Sequence, residues 1–190
     1  MKKIKARNSL WKVDSPALSL PDMKLNTVIF DMDGLLIDSE PLWGEAADEI
    51  FQRHGFRLTA AQHGTTTGMR TKEFIEWWFD HYNISREHAP GAEEAIIQSV
   101  INKIAIKGKA MQGLGHIFNF FISKNFKIGL ATSSPGPLID VVIDKLGIRQ
   151  YLQAIASAAE LPYGKPHPQV YLNCAALLKS SPLECICFED

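Results

Sequence analysis

Two aspartates, Asp31 and Asp33, stand directly after a short apolar run and directly before a glycine. The run at 27–30 has the composition of a buried strand, so both carboxylates are predicted to lie where the chain leaves a sheet. Open α/β sheets bind ligands at the carboxyl ends of their strands. Two carboxylates held close together either share a proton or bind a cation. The pair therefore predicts a Mg²⁺-dependent phosphoryl-transfer site.

Two simpler interpretations of the acid pair are an EF-hand calcium loop and a solvated turn. An EF-hand loop needs an oxygen ligand at its fifth position, glycine at its sixth and glutamate at its twelfth. Counted from Asp31, these positions fall on Leu35, Leu36 and Leu42, which excludes the EF-hand. Asp and Gly alone favour a turn, but the apolar run before them and the motifs farther along the chain favour a site.

A hydroxyl-bearing segment follows a second predicted strand, at 126–131. Thr132 and Ser133 lie directly after this strand, and a helix is predicted from residue 137. Hydroxyls and free backbone N–H groups near a helix N-terminus hold phosphate oxygens. Ordinary helix capping explains the same residues equally well when the segment is considered alone. Thr132 and Ser133 are therefore candidate phosphate ligands.

Two further segments complete the set. Lys165 precedes a predicted helix at 166–178 and is placed to neutralise phosphate charge, although most lysines are simply solvated. Glu189 and Asp190 follow a predicted strand at 183–188 and offer oxygen ligands for Mg²⁺, although a solvated chain end is equally consistent with them. Because the carboxyl ends of parallel strands meet at one sheet edge, the combination is more specific than any member.

These residues predict a mechanism based on charge. A phosphate monoester is an anion that repels nucleophiles, and Mg²⁺ together with Lys165 would offset that repulsion. Asp31 would attack phosphorus and form an aspartyl-phosphate. Asp33 would protonate the leaving alkoxide and then deprotonate the water that hydrolyses the intermediate. The metal ligands would be Asp31, Asp33 through its backbone carbonyl, and Asp190, with Glu189 beside them.

Composition bounds the class of protein. The chain has 190 residues, of which 46% are apolar, and a net charge of -1 with its six histidines neutral. These values fit a globular domain with a sizeable insertion, or one domain plus a small second one, and they give no basic field for nucleic acid. No apolar run is long enough to span a membrane. The three cysteines lack a metal-site spacing, so we expect reduced thiols and a cytoplasmic location.

Apolar periodicity predicts the elements that position these residues. The predicted helices show a helical apolar period and lie at 41–54, 71–82, 92–107, 115–124, 137–146 and 166–178. The predicted strands are short apolar runs and lie at 27–30, 126–131, 154–156 and 183–188. After the third helix, helix and strand alternate, which predicts a parallel sheet with right-handed crossovers.

The connection between the first two predicted strands is too long for a single crossover helix. Such a crossover needs about a dozen residues, and this one is several times longer. We therefore predict a Rossmann-like α/β core at 24–40 and 109–190, with helices flanking its parallel sheet and a helical cap inserted at 41–108. Residues 1–23 lack periodicity and are interpreted as an N-terminal extension.

In this order, the motifs resemble those of the haloacid dehalogenase-like superfamily of phosphohydrolases. The acid pair matches the first family motif, Thr132 the second, Lys165 the third and Glu189-Asp190 the fourth. The inserted helices are similar to the cap of the β-phosphoglucomutase-like subgroup. This resemblance implies a Mg²⁺-dependent phosphatase for small sugar or polyol phosphates in the cytoplasm. We expect a monomer that binds neither nucleic acid nor membrane.

The resemblance also implies where the substrate is chosen. Arg70 occupies the place of a substrate-facing cap loop and is a candidate for holding a substrate hydroxyl or phosphate, with a solvated arginine as the alternative. Glu40 and Trp43 are expected to line the cleft, with cap packing as the alternative for Trp43. His167 is interpreted as a residue that begins a helix, because Asp33 already supplies the acid and base.

Two departures from the family pattern affect these expectations. β-Phosphoglucomutases carry a histidine five residues after the Asp that follows the first motif. Counted from Asp38, that position is Trp43, which favours a hydrolase over a mutase. The family sequence continues beyond the fourth motif, whereas this chain stops at Asp190. We therefore expect marginal stability and weak activity, to be tested against a chain extended at its C-terminus.

Two alternative functions remain open. One is a sugar-phosphate mutase, which would yield an isomerised phosphosugar rather than free phosphate. The other is an inactive, truncated remnant that persists as a metal-binding or interaction fold. A haloacid dehalogenase in the strict sense is disfavoured, because its chemistry needs no Mg²⁺ and would leave Asp33 and the acidic pair at 189–190 without a role.

Overall fold

A four-stranded parallel sheet carries the chemistry-bearing segments. The computed structural model describes residues 24–190, so the predicted extension at 1–23 lies outside the described residues. The strands are β1 (Thr27–Phe30), β2 (Lys127–Thr132), β3 (Ala154–Ser157) and β4 (Cys185–Phe188), in the spatial order β3-β2-β1-β4. All neighbours pair in parallel, and β1 lies between β2 and β4. This confirms the predicted parallel α/β sheet.

Seven α-helices accompany the sheet in the described part of the chain. Five of them lie between β1 and β2, and they are α1 (Glu40–Arg53), α2 (Ala60–Thr65), α3 (Thr71–His81), α4 (Ala89–Lys107) and α5 (Leu114–Ser123). The other two connect the later strands: α6 (Gly136–Leu146) joins β2 to β3, and α7 (Gln169–Leu177) joins β3 to β4. The division into an α/β core and a helical cap stays a prediction.

The sheet is covered on both faces, as its strand sequence requires. Side chains alternate across a strand, and accordingly Val28 and Phe30 belong to one apolar cluster while Ile29 belongs to another. The ring of Phe30 stacks on Phe188 of β4, with centroids 5.4 Å apart. A Cβ at Gly129 would lie 2.6 Å from the sulfur of Cys174, so α7 packs closely on β2. The cores on both faces thus fix β1 and the acids that follow it.

The structure differs from the predicted elements mainly at short or polar segments. Helix α2 was not predicted, because six residues give too few turns for an apolar period; it is instead stabilised by a capping box of Thr59 and Gln62. Helix α7 begins at Gln169 rather than at residue 166, with Pro168 as its N-cap. Strand β4 begins at Cys185, because a 3-10 turn precedes it.

Two findings within the described residues concern the cysteines and membrane spans. All three cysteines, Cys174, Cys185 and Cys187, are free thiols. In the described part of the chain, no helix combines the length and hydropathy needed to cross a membrane.

Candidate active site

The carboxyl ends of the strands open into a cavity of about 500 Å³. Asp31 follows β1 directly, and its backbone N–H donates to the carbonyl of Phe188 at the end of β4, at 3.0 Å. Most of the predicted site residues line this cavity, and they are Asp31, Asp33, Glu40, Trp43, Thr132, Ser133, Lys165, Glu189 and Asp190. Of the predicted site residues, Arg70 alone lies outside the lining. The parallel topology therefore gathers the motifs as predicted.

Asp31 and Lys165 form a buried ion pair at the base of the cavity. Asp31 is 6% exposed, and its Oδ1 lies 2.6 Å from Nζ of Lys165. Burial raises the pKa of Asp31 to about 7, although the adjacent Lys165 favours the charged form. A poorly solvated carboxylate that is ionised near neutral pH suits a nucleophile.

Lys165 also contacts Glu189 and Tyr171, in addition to its partner Asp31. Its Nζ lies 2.9 Å from Oε1 of Glu189, and it also lies 5.2 Å from the ring centroid of Tyr171. The Tyr171 hydroxyl donates to Oε2 of Glu189. Because Lys165 and Tyr171 occupy the Glu189 carboxylate, its arrangement fits orientation of Lys165 better than the predicted ligation of a metal. Sequence reasoning missed Tyr171, which no motif marks.

The Asp33 carboxylate has a different environment from Asp31, two residues away. Its Oδ1 accepts hydrogen bonds from the Ser39 hydroxyl at 2.6 Å and from the Trp43 indole N–H at 3.0 Å. Its Oδ2 accepts a hydrogen bond from the Ser134 hydroxyl at 2.7 Å. With its side chain held by three donors, Asp33 would meet a metal only through its backbone carbonyl.

The segment after β2 is fixed by its own hydroxyls. Thr132 is buried, and its Oγ1 accepts a hydrogen bond from the backbone N–H of Ser134 at 3.1 Å. The Ser157 hydroxyl donates to the carbonyl of Ser134 at 2.7 Å. The hydroxyl of Ser133 donates to the carbonyl of Gly68 at 3.3 Å, which joins this segment to the loop before α3. Thr132 and Ser133 therefore stand at the cavity in a fixed loop.

The carboxylates in the cavity suit Mg²⁺. The carboxylates of Asp31 and Asp190 both line the cavity, and a Cβ at Gly34 would overlap the Asp190 carboxylate, so the backbone approaches it closely. Mg²⁺ in proteins usually takes one or two carboxylates and completes its shell with water and substrate phosphate. A site of this kind fits the residues present, although in the described residues no three His, Cys, Asp or Glu side chains form a metal cluster.

The opposite wall of the cavity comes from the inserted helices. It includes Glu40 and Trp43 of α1, together with His63, Thr66 and Thr67 of α2 and the turn after it. Among the cavity-lining residues, all of which lie in the described range, Lys165 is the only lysine or arginine. This wall therefore offers hydrogen bonds and aromatic surface rather than positive charge.

His63 is a cavity residue that sequence reasoning missed. Its Nε2 lies 3.2 Å from Oδ1 of Asp48, and its Cε1 lies 4.0 Å from where a Cβ would stand on Gly44. The ring therefore lies against one turn of α1, between Gly44 and Asp48, and the Asp48 carboxylate fixes its orientation. Only the tertiary packing of α2 on α1 brings the pair together, so no sequence spacing could have marked it.

Arg70 lies in the predicted loop before α3, directly after the cavity-lining Met69, but is not itself part of the lining. Its guanidinium donates to the carbonyl of Leu161 and to the carboxylate of Glu73, and it lies beside Gly164, just before Lys165. Burial leaves the side chain only 16% exposed. These contacts occupy the two terminal nitrogens of the guanidinium, whereas Nε, which is buried, has no hydrogen-bond partner. The substrate contact of Arg70 stays a prediction.

His167 also lies outside the cavity lining. Its Nδ1 accepts a hydrogen bond from the backbone N–H of Gln169 at 3.3 Å, and its ring stacks on Tyr163 with centroids 4.9 Å apart. These contacts agree with its interpretation as a residue that begins a helix.

Comparison with known proteins agrees with the fold. The family model of haloacid dehalogenase-like hydrolases matches residues 25–190. The chain is 34% identical to hexitol phosphatase B of Escherichia coli (strain K12) over 163 residues, which are 85% of this chain and 73% of that protein. It is 25% identical to the β-phosphoglucomutase of Bacillus subtilis (strain 168), over 87% of this chain and 75% of that protein.

A solved structure shows the same architecture. The β-phosphoglucomutase of Clostridium difficile superposes with a TM-score of 0.76 at 25% sequence identity, over 87% of this chain and 76% of that chain. The chain therefore belongs to the haloacid dehalogenase-like hydrolase family. This confirms the resemblance inferred from the motifs and the prediction of an enzyme. The phosphatases among its relatives support the class of phosphoric monoester hydrolases.

Proposed function

We propose that this chain is a Mg²⁺-dependent phosphatase that hydrolyses small sugar or polyol monophosphates through an aspartyl-phosphate. The observation that carries the proposal is the buried Asp31–Lys165 pair in a cavity that Asp190 also lines. Relatives named as phosphatases of hexitols and of fructose 1-phosphate support this substrate class. The free thiols suit a reducing compartment, so we propose a cytoplasmic enzyme.

Charge compensation is the first task of the site. The phosphoryl oxygens are negative and would approach a buried carboxylate, which Coulomb repulsion opposes. Lys165 offsets this repulsion, because its Nζ lies beside the Asp31 oxygen that would meet phosphorus. Mg²⁺, held by Asp31 and Asp190 and by the carbonyl of Asp33, would supply further positive charge to the phosphate oxygens. Thr132 and Ser133 would hold those oxygens from the loop after β2.

The bond-making steps belong to the two aspartates. Asp31 attacks phosphorus, and the bond between phosphorus and the substrate oxygen breaks with its electron pair on that oxygen. Asp33 gives that oxygen a proton and so releases a neutral alcohol. Asp33, now a carboxylate, then takes a proton from the water that attacks the aspartyl-phosphate. Phosphate leaves and Asp31 is regenerated.

The charge of the cavity favours substrates with a single phosphate. A mutase must also hold the second phosphoryl group of a bisphosphate intermediate, and such a group needs cationic partners. Within the described residues, the only lysine or arginine in the lining is Lys165, and the guanidinium of Arg70 donates to the carbonyl of Leu161. The wall formed by α1 and α2 is polar and suits the hydroxyls of a sugar or polyol. Hydrolysis is therefore proposed over phosphoryl migration.

Phosphate release tests the proposal directly. The parent chain, its Asp31→Asn variant and the control Asp38→Asn, which changes an exposed aspartate, would be incubated with a panel of sugar and polyol phosphates, with Mg²⁺ or with a chelator. We expect Mg²⁺-dependent release from the parent and the control, and none from Asp31→Asn. An isomerised phosphosugar without free phosphate would establish the mutase. No turnover from a folded chain would indicate an inactive fold.

The covalent intermediate has its own test. Rapid acid quenching of the parent chain during turnover, followed by borohydride reduction, converts an aspartyl-phosphate to homoserine, which peptide mass spectrometry locates. We expect the modification at Asp31 alone. Turnover without any modification at Asp31 would contradict nucleophilic attack by this residue.

A further inference from the structure

The arrangement of donors around Asp33 carries an inference about Trp43. A carboxylate has two oxygens with about two lone-pair positions each. Oδ1 accepts from both Ser39 and Trp43, so its two positions are filled. Oδ2 accepts from Ser134 alone, so one position stays open. Of the four positions, the open one is therefore on Oδ2.

The two donors to Oδ1 form a single rigid unit. Ser39 is the N-cap of α1 and Trp43 lies four residues farther on, so both occupy the same face of the helix. The backbone N–H of Trp43 donates to the carbonyl of Ser39 at 3.0 Å. The first turn of α1 thus presents a hydroxyl and an indole N–H together to one carboxylate oxygen. No sequence motif requires this pairing of donors.

We propose that Trp43 is a positioning residue that directs the proton of Asp33 to Oδ2. The proposal rests on the proposed function, in which Asp33 protonates the leaving oxygen when its bond to phosphorus breaks. With Trp43 in place, a proton on Asp33 resides at the open position of Oδ2. Without the indole N–H, a second position opens on Oδ1, beside α1. The proton then resides part of the time on Oδ1, beside the Ser39 hydroxyl, instead of on Oδ2.

Leaving groups of different basicity test this role. Nitrophenolate leaves without a proton, whereas the alkoxide of a hexitol requires one. The quantity to compare is kcat/KM, because it reports the steps up to departure of the leaving group and excludes the later hydrolysis of the intermediate. General acid catalysis contributes about 10²–10⁴-fold in enzymes. For Trp43→Phe we expect a fall of about tenfold with hexitol 6-phosphate and less than about twofold with p-nitrophenyl phosphate.

Two further variants separate positioning from packing. Trp77→Phe, a change at a tryptophan that is 59% exposed on α3, is the matched control and should alter neither value. Replacement of Trp43 with benzothienylalanine keeps the shape of the indole and removes only the N–H donor, so it should reproduce the result of Trp43→Phe. Equal losses with both substrates would show a role in packing or binding, and unchanged values with both would show no role; either result overturns the proposal.

A spectroscopic measurement is independent of turnover. In ¹⁵N-labelled protein, the indole N–H resonance of Trp43 should shift upfield in Asp33→Ala, while those of the other tryptophans stay in place. A Trp43 resonance that ignores this substitution would overturn the inferred hydrogen bond. Inactivity of the parent chain with an intact indole shift would instead count against the proposed function and leave the Asp33–Trp43 contact established.

Discussion

The two walls of the cavity are built from different parts of the chain and differ in their chemistry. The sheet wall holds charges at short range, with Asp31, Lys165 and Glu189 in one connected cluster. Apart from Glu40, the helical wall holds neutral or conditionally charged groups, among them His63 and Thr67. One wall can therefore stabilise a phosphoryl group, whereas the other can only recognise what is attached to it.

This difference separates reaction from selectivity. Electrostatic stabilisation of a transition state depends on charges fixed in a poorly solvated site, and the sheet wall has them. Recognition of hydroxyls needs only hydrogen bonds, each worth about 0.5–1.5 kcal/mol net. Changes in the sheet wall should therefore affect turnover with every substrate by large factors. Changes in the helical wall should affect some substrates by small factors.

The largest effect is expected at Lys165. Lys165→Met removes the cation beside Asp31 and beside the phosphoryl oxygens, and loss of one such electrostatic contact typically costs about 10²–10³-fold. We expect a loss of this size in kcat/KM with both p-nitrophenyl phosphate and hexitol 6-phosphate. Lys124→Met, at an exposed lysine, is the control and should retain full activity. If kcat/KM of Lys165→Met stayed within threefold of the parent value, the charges of the sheet wall would not stabilise the transition state.

The second effect concerns stability. Ionising Asp31 in its buried position lowers the free energy of unfolding. Its pKa of about 7 lies above the ordinary 3.8, so between these values the folded chain binds more protons than the unfolded chain. Stability therefore falls as the pH rises through this window, and the full cost is present above it. Asp31→Asn lacks the cost.

Thermal melting in the presence of a chelator measures this cost. The melting temperature of Asp31→Asn should exceed that of the parent at pH 8, and this gap should be about 5 °C larger at pH 8 than at pH 5, since one pKa unit corresponds to about 1.4 kcal/mol. Asp38→Asn is the control and should follow the parent at both pH values. A gap that stays constant between the two pH values would show that Asp31 titrates normally.

The sheet wall was largely predictable from the sequence, for a physical reason. Short apolar runs announce buried strands, and parallel pairing then brings whatever follows each strand to one edge. Asp31, Thr132 and Asp190 therefore reached the cavity as predicted. The position of Lys165 was also predicted. Its contact with the Tyr171 ring was not, because that contact depends on how α7 packs.

The helical wall was predictable only in part. Trp43 lies on α1 and was expected at the cleft from the family resemblance, but its hydrogen bond to Asp33 was not foreseen. His63 lies on a helix of six residues that has no apolar period, and its partner Asp48 comes from another helix. Side-chain direction was not predictable either, because a long arginine at the edge of a cavity can turn to either side, and Arg70 contacts the carbonyl of Leu161.

The third effect lies in this helical wall, at His63. His63→Ala removes a ring that Asp48 holds in the cavity, and loss of one hydrogen bond corresponds to about 3–10-fold in affinity. We expect KM to rise by this factor for hexitol phosphates and to stay unchanged for glycerol phosphate, which is too short to reach this wall. His116→Ala, at an exposed histidine of α5, is the control. Equal increases for both substrates would show that His63 contacts the phosphate instead.

The smallest effect is expected at Arg70, and it sharpens the contrast between the walls. Arg70→Gln removes a guanidinium that faces Leu161 and Glu73 rather than the cavity. KM should therefore stay within about twofold of the parent, because no substrate contact is lost. The carbonyl of Leu161 loses a partner on the loop that leads to Lys165, so kcat should fall about threefold, the cost of one hydrogen bond.

A steady-state analysis with hexitol 6-phosphate separates these two parameters for Arg70→Gln. A tenfold rise in KM with unchanged kcat would place Arg70 on the substrate, as the sequence suggested, and would give the helical wall a cation that it lacks in this structure. That result would also reopen the mutase, since a second phosphoryl group would then have a partner. A fall in kcat alone would instead show that the inserted helices act on the reaction only through the loop that carries Lys165.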